Sequence, residues 1–470
     1  MENAFTRRLY DASPVFLQHL FTSAYGWKKR ADRYGTHYRR YRAFFQESFR
    51  WPRERLQRHQ DAKVAETVEL AYRQIPFWRQ RLDRLGLRPS DIASVADLPK
   101  LPLLEKSEVR QAGTAMLAAG FPRRMLHRAT TSGSTGFPLT NYWSTEALQR
   151  DFGFDWARRR PGVTRRDRYG TFTGLQIVRA DSLRAPFWRF NWPGHQVCFS
   201  IFHMTPRTLP AYADQIINSG LSYLEGYPSS LAVLARFLLQ HGIAPPPLKA
   251  VFVTAEQLLP EQRASIERGL GARVWDQYGL NEKAASITDY ACGPLHYDMD
   301  SGVIEFIPAG RDEEGEPLHE MVCTSFDNRA FPLIRYRVGD LAVLADPAVG
   351  CDLCAGPIVR RIYGRTAQVL LSRDGRRITN MSVIAKRCAH VEAMQCIQTE
   401  PGAVDICVVR GEGFLPEDEE RIVREFQKKM GQIDFRIRYV SDVERTPSGK
   451  FLSIISRLAP VACDPADGGL

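Results

Sequence analysis

Across residues 57–88 the apolar positions recur at helical spacing, with Val64, Val68, Leu70, Ala71 and Ile75 preceding Pro76-Phe77-Trp78. Side chains three and four apart share one helix face, so the pattern predicts a helix with a single buried stripe. A turn follows. Asp97-Leu98-Pro99-Lys100-Leu101-Pro102 leads to Lys106-Ser107-Glu108, which opens a second helix, and Met125-Leu126-His127-Arg128-Ala129 reads as a strand. Later, short apolar runs alternate with helical ones. Residues 222–227 form a strand, Pro228-Ser229-Ser230 is placed to cap a helix over 231–239, and 249–254 is a buried strand. Residues 260–270 form an amphipathic helix and 273–278 another strand. This alternation predicts an α/β body with a largely parallel sheet, whose ligands gather at loops beyond the strand ends.

Charge changes the picture at the N-terminus. Of the net +11, a net +8 falls in residues 1–60, where 13 Lys/Arg face 5 Asp/Glu. The same segment mixes Phe16, Leu17, Leu20, Phe21, Tyr25 and Trp27 with Lys28, Lys29 and Arg30. A basic amphipathic helix is the expectation, serving either to dock on an anionic membrane or a partner, or simply to pack on the body. No zinc-finger, homeodomain or RNA-binding fingerprint accompanies it, which argues against nucleic acid. With 44% hydrophobic and 25% charged residues the chain reads as globular. No apolar run reaches membrane-span length and the first residues lack a signal core, so a cytoplasmic location is expected. Nine scattered cysteines point to thiols or metal ligands rather than a disulfide framework.

Candidate chemistry lies in the loops. Thr130-Thr131-Ser132-Gly133-Ser134-Thr135-Gly136-Phe137-Pro138 is rich in hydroxyls and holds two glycines. Such a loop can turn N–H groups and hydroxyls onto a phosphate, although surface turns share the composition. No lysine follows the second glycine, so it is not a Walker loop. Tyr278-Gly279-Leu280-Asn281-Glu282 offers a ring to stack on a base and a carboxylate for Mg²⁺. Arg335-Tyr336-Arg337-Val338-Gly339-Asp340 ends a strand with a carboxylate suited to ribose hydroxyls, and Arg361-Ile362-Tyr363-Gly364-Arg365 adds a guanidinium.

Taken in chain order with Gly226-Tyr227-Pro228-Ser229, Thr254-Ala255-Glu256 and Arg445-Thr446-Pro447-Ser448-Gly449-Lys450, these motifs resemble the adenylate-forming superfamily of acyl-CoA synthetases and adenylation domains. The nearer likeness is to phenylacetate–CoA ligases and their relatives associated with capsular polysaccharide synthesis. It implies a large N-terminal α/β lobe with mixed sheets and a small mobile α+β C-terminal lobe. It also implies that Ser132, Gly133, Ser134, Thr135 and Gly136 hold the ATP phosphates, with Thr135 among the catalytic groups. Tyr278 would lie against adenine, with Glu256, Gly279 and Asn281 lining the nucleotide site. Glu282 would bind Mg²⁺, Asp340 the ribose and Arg365 the nucleotide, and Lys450 would approach the reacting carboxylate and α-phosphate. The physical logic agrees, because a carboxylate attacking an anionic phosphorus needs an ammonium, a metal and N–H donors to neutralise developing charge. Tyr227, Phe252 and Ile287 are candidates for the acyl pocket.

The resemblance further implies a structural zinc held by Cys292, His296, Cys351 and Cys354, a closed Cys/His set with no position left for water. Cys198, Cys323, Cys388, Cys396, Cys407 and Cys463 have no partner pattern and are expected as small buried hydrophobes.

Departures from the pattern bear on the second half-reaction. Ala367 stands where relatives carry an aspartate at the hinge of the small lobe, and Asn281 and Ala255 replace a usual Thr and Gly. Leu371-Ser372-Arg373-Asp374-Gly375-Arg376-Arg377 is more basic than a narrow thiol channel requires. Three readings follow. One is adenylation of an acid followed by transfer to CoA. The second is transfer of the acyl group to an amine or hydroxyl in capsular or exopolysaccharide synthesis. The third is a degenerate nucleotide-binding scaffold, disfavoured by the presence of Glu282 and Lys450. The expected domains are a basic helical extension over 1–60, an AMP-binding lobe over 61–365 and a mobile lobe over 366–470.

Overall fold

The computed structural model describes residues 4–130, 139–179, 182–312, 315–365, 370–371, 377–378, 390–411, 413–430, 434–445 and 451–458. The hydroxyl-rich segment from Thr131 to Pro138, the expected hinge position Ala367, Cys388, Cys463 and Lys450 lie outside these residues.

Three helices open the chain, α1 (Ala4–Ala12), α2 (Val15–Arg33) and α3 (Thr36–Ser48). The stripe of Val64, Val68 and Ala71 is buried in α4 (Arg53–Gln74), as its spacing requires. Pro76 has no N–H to continue that helix and instead begins α5 (Pro76–Arg84) at its first turn. After α6 (Lys106–Ala112), β1 (His127–Thr130) pairs antiparallel with β2 (Thr140–Trp143), so the hydroxyl-rich segment joins two strands of one ladder. Ser144 caps α7 (Thr145–Phe154), its hydroxyl accepting the Ala147 N–H at 3.1 Å.

The main sheet takes β3 (Tyr169–Thr173), β4 (Trp188–Asn191), β5 (Gln196–Ser200), β6 (Tyr223–Gly226), β7 (Ala250–Val253) and β8 (Val274–Gly279). It continues through β9 (Ser286–Asp289), β10 (Leu295–Tyr297), β11 (Gly302–Arg311), β12 (Pro317–Ser325), β13 (Tyr336–Leu344) and β14 (Ile358–Arg365). These twelve strands run in the order 11-12-13-14-10-9-8-7-6-3-5-4. The expectation of a largely parallel sheet holds only for the run 5-3-6-7-8, where α8 (Leu209–Asn218), α9 (Pro228–Gln240) and α10 (Pro260–Leu270) cross over between strands. From β8 to β11 neighbours are antiparallel, because short connections replace helical crossovers. Mixed sheets, as the family resemblance implied, describe the whole.

A further correction is local. Helix α9 begins at Pro228, and the residue preceding it is Tyr227 without a side-chain cap, so Ser229 and Ser230 lie inside the first turn. Proline at the first helical position supplies the preset φ that a polar cap was expected to enforce. Gly226 is required by close approach, since a Cβ there would meet the Phe172 carbonyl at 2.5 Å.

Beyond the main sheet, β15 (Leu370–Leu371) pairs with β16 (Arg377–Ile378), framing the polar segment between them. A separate four-stranded sheet contains β17 (Val391–Glu400), β18 (Ala403–Arg410), β19 (Asp434–Tyr439) and β20 (Ile454–Ser456) in the order 19-18-17-20. Helix α11 (Pro416–Met430) buries Ile422 and Phe426 against it, in a core shared with Leu370, Met394, Cys396 and Ile406. Cys198, Cys323, Cys396 and Cys407 are buried.

Candidate active site

Strands β6, β7 and β8 are parallel neighbours, so the residues after their carboxyl ends are brought to one edge. Tyr227 follows β6, Thr254-Ala255-Glu256 follows β7, and Tyr278 to Glu282 close and follow β8. The sequence separates these segments by tens of residues, and parallel pairing removes that separation.

At the end of β8 the Tyr278 hydroxyl donates to Asp340 Oδ2 at 2.6 Å. Burial, and then the Asp340 carboxylate, push the Tyr278 phenol well above its ordinary pKa, so it stays a donor. Arg365 is the cross-strand partner of Asp340 between β13 and β14. The ribose candidate and the guanidinium candidate thus occupy one rung of a ladder. Glu282 is only 5% exposed, and Tyr336 donates to its Oε1 at 3.2 Å. Asn281 is exposed at the rim. Lys283, next in the chain, takes a positive φ of 54° and pairs with Asp151 over the Trp143 ring.

Glu256 bridges two backbones. One carboxylate oxygen accepts the Ser229 N–H in the first turn of α9 at 3.1 Å, and the other accepts the Phe451 N–H at 3.0 Å. Phe451 also pairs with Arg445 in an antiparallel bridge. Ala255 holds φ at 70°, a left-handed conformation in which a glycine avoids Cβ strain.

Of the acyl-pocket candidates, Tyr227 is 7% exposed, while Phe252 and Ile287 are essentially buried. Ile287 is the register partner of Tyr278, and Phe252 packs with Tyr223 beneath the Arg160 guanidinium, which pairs with Asp155 and Glu225. Arg159 went unassigned in the sequence reading. It donates to the Tyr278 carbonyl at 2.6 Å and also bonds Ser286, fixing the loop that carries Gly279 and Glu282. In sequence it stands in the run Arg158-Arg159-Arg160, which resembles a solvated charge cluster. A π-helical turn over Asp155–Arg159 instead directs the run inward.

The thiol and imidazole candidates meet at the other end of the antiparallel half. His296 in β10 pairs with Ile358 in β14, and this pairing draws the loop carrying Cys351 and Cys354 to Cys292. The ligand atoms of Cys292, His296 and Cys351 lie within 4.8 Å of one another, with Cys292 Sγ 3.2 Å from His296 Nε2. Cys354 is outside that trio but hydrogen-bonds the Cys351 thiol. His296 Nδ1 donates to the Gly356 carbonyl at 3.1 Å, which aims Nε2 at the sulfurs in the manner of a metal-bound imidazole. Burial lowers the His296 pKa, keeping the ring neutral, and pushes Cys292 up to about 11. Against the upward push of burial, N–H groups of Leu353 and Cys354 hold Cys351 below the usual thiol range.

Residues 370–457 match the family described as the CapK C-terminal domain. The chain is 24% identical to Protein CapK of Staphylococcus aureus, covering 94% of this chain and 97% of that one. It is 28% identical to phenylacetate-coenzyme A ligase of Thermus thermophilus, over 81% and 84% of the two chains. The fold matches 2-hydroxyisobutyryl-CoA ligase, solved in the postadenylation state with 2-HIB-AMP, at a TM-score of 0.64 and 16% identity, covering 86% and 90% of the chains.

Proposed function

We propose that this chain, similar to CapK and to phenylacetate-coenzyme A ligases and sharing the fold of 2-hydroxyisobutyryl-CoA ligase, activates a carboxylic acid with ATP. A carboxylate oxygen attacks the α-phosphorus, the bond from that phosphorus to the bridging oxygen breaks, and pyrophosphate leaves an acyl-adenylate. The CoA thiol then attacks the acyl carbon and AMP departs.

The observation that carries this reading is the bond from the Phe451 N–H to Glu256. It places Phe451, next to Lys450 in the chain, at the loop after β7, on the edge where the residues following β8 also lie, which supports a closed arrangement for the first half-reaction. In this account Lys450 meets the reacting carboxylate and α-phosphate, and Ser132, Gly133, Ser134, Thr135 and Gly136 receive the phosphates. Asp340 holds the ribose hydroxyls, with Tyr278 beside the base and Arg365 beside the nucleotide. Glu282 offers a buried hard oxygen donor that suits Mg²⁺, whose contribution when bound is charge neutralisation at the phosphates. The Cys292, His296 and Cys351 trio, with Cys354 beside it, fits a structural zinc that staples β10 to the loop before β14.

A second acceptor is favoured by a specific observation. The family match to CapK falls on residues 370–457, which hold the small sheet and the strands flanking the basic segment from Ser372 to Arg376. That supports an amine or hydroxyl acceptor in capsular polysaccharide synthesis in place of CoA. ATP–pyrophosphate exchange with a panel of acids tests activation and separates an enzyme from a bare nucleotide-binding scaffold. Product mass after adding CoA or amino sugars then separates the acceptors. Exchange with no acid at all would overturn the proposal.

A further inference from the structure

Helix α2 is mounted with its polar side inward. Gln18, Ser23 and Gly26 are its buried residues. Gln18 Oε1 accepts from Arg189 at 2.6 Å, His19 Nδ1 accepts the Phe190 N–H at 3.0 Å, and Ser23 donates to the Phe190 carbonyl at 3.2 Å. Arg30 adds a bond to the Pro193 carbonyl at 2.7 Å. Gly26 allows the close approach, since a Cβ there would fall 1.9 Å from Asn191 Oδ1. Hydrogen bonds to the edge strand β4 and the turn after it therefore hold the helix down.

Its apolar side faces out. Phe16, Leu17, Leu20, Phe21 and Trp27 are exposed, Phe16 at 64% and Trp27 at 66%, and Leu9 of α1 extends the face. Burying one such side chain is worth roughly 1.5–3 kcal/mol, so a stripe of this kind carries a large unrealised driving force. The charges around it select the occupant. Residues 4–33 hold six Lys/Arg and two Asp, with Lys28 exposed beside Trp27 and Lys29 half-buried over the Tyr25 ring. A second copy of the same face would set these cations against each other, whereas an anionic surface would attract them. At 19 residues α2 is about 28 Å long, and no described helix is long and apolar enough to cross a membrane. The helix suits lying in an interface rather than spanning one.

We propose that α1 and α2 dock the protein on an anionic lipid bilayer, sinking Phe16, Leu20 and Trp27 below the headgroups and placing Lys28 and Lys29 among them. This inference stands independently of the acyl-activating reading. The test is flotation of the full chain with phosphatidylcholine vesicles, with and without phosphatidylglycerol. Circular dichroism of each variant confirms that it is folded. The wild type floats with the phosphatidylglycerol vesicles and is released by high salt. Leu20→Ser with Trp27→Ser reduces partitioning at least about tenfold. Lys28→Gln with Lys29→Gln reduces it about tenfold on anionic vesicles only. Failure of the wild type to float, or equal flotation of the Leu20/Trp27 variant, overturns the proposal. So does a dimer in sedimentation velocity that the same substitutions abolish while no lipid binding is seen, which would assign the face to a second copy.

Discussion

Phe451 donates its main-chain N–H to Glu256 Oε1 at 3.0 Å, joining the segment that follows Lys450 to the loop after β7. The partner oxygen of the same carboxylate holds the Ser229 N–H at the start of α9. One side chain therefore ties Phe451 to the start of α9 at the rim of the main sheet.

Hydrogen bonds to an ionised carboxylate contribute about 1.5–3 kcal/mol each. Glu256→Ala is expected to lower the ATP–pyrophosphate exchange rate about 10–100-fold, while Glu256→Gln, which keeps an acceptor oxygen, loses less. Exchange kinetics on the two variants check this, and equal rates for Ala and wild type would remove the contact from the adenylation step.

The proposed nucleotide role of the bonded Tyr278–Asp340 pair is testable separately from the chemistry. Asp340→Ala should raise the KM for ATP at least about tenfold with a smaller change in kcat, through loss of a charge-assisted bond to a ribose hydroxyl. Tyr278→Phe keeps the ring and should raise it only a few-fold. An unchanged KM for ATP in Asp340→Ala would put the ribose elsewhere.

Metal analysis of the purified chain should find about one zinc per molecule, the stoichiometry of a single closed site. Cys351→Ser should lose that metal and lower the melting temperature, and a strong chelator should do the same to the wild type. Zinc-free protein with an unchanged melting temperature in the presence of chelator would leave the trio as ordinary side chains.

Asp276 in β8 sets a pH dependence. Burial raises its pKa to about 6, with the Asp289 carboxylate adding and Arg263 opposing. A carboxyl whose folded pKa exceeds its unfolded value binds more protons when folded, so stability falls as pH rises from about 4 to about 6 and is level above. Thermal unfolding between pH 4.5 and 7.5 should show that decline, on the order of 2 kcal/mol, and Asp276→Asn should reduce it. A slope unaltered by the substitution would assign the effect to other groups.

Much of the architecture was legible in the sequence because local rules and tertiary context agreed. The helix over 260–270 has Pro260 at its first position and Gly271 in a left-handed cap, and the strand over 250–253 is a short apolar run between polar ends. The antiparallel half was not legible, since β9 and β10 are short and β12 is buried along most of its length instead of alternating, so periodicity does not reveal which strands pair. What joins Cys292 to Cys351 is the rung between His296 and Ile358, a relation that spacing along the chain does not encode.

For the site, motif order brought Tyr278, Glu282 and Asp340 into view, but not what fixes them. Arg159 was hidden in a run of three arginines whose exposure periodicity alone does not decide, and Phe451 acts through a main-chain N–H that carries no residue signature. The inverted face of α2 was visible as composition in Phe16, Leu20 and Trp27. Its direction required Gln18, His19 and Ser23 to be seen bonded to β4 and its following turn.

The most direct measurement is a mass-spectrometric search for an AMP ester formed by the full chain from ATP and a mixed acid library, run beside Lys450→Ala. The account predicts an acyl-adenylate matched by released pyrophosphate, with formation cut by about 100-fold or more in the variant, the scale expected when a charge-stabilising group is removed. No ester from any acid, or undiminished ester in Lys450→Ala, would contradict it.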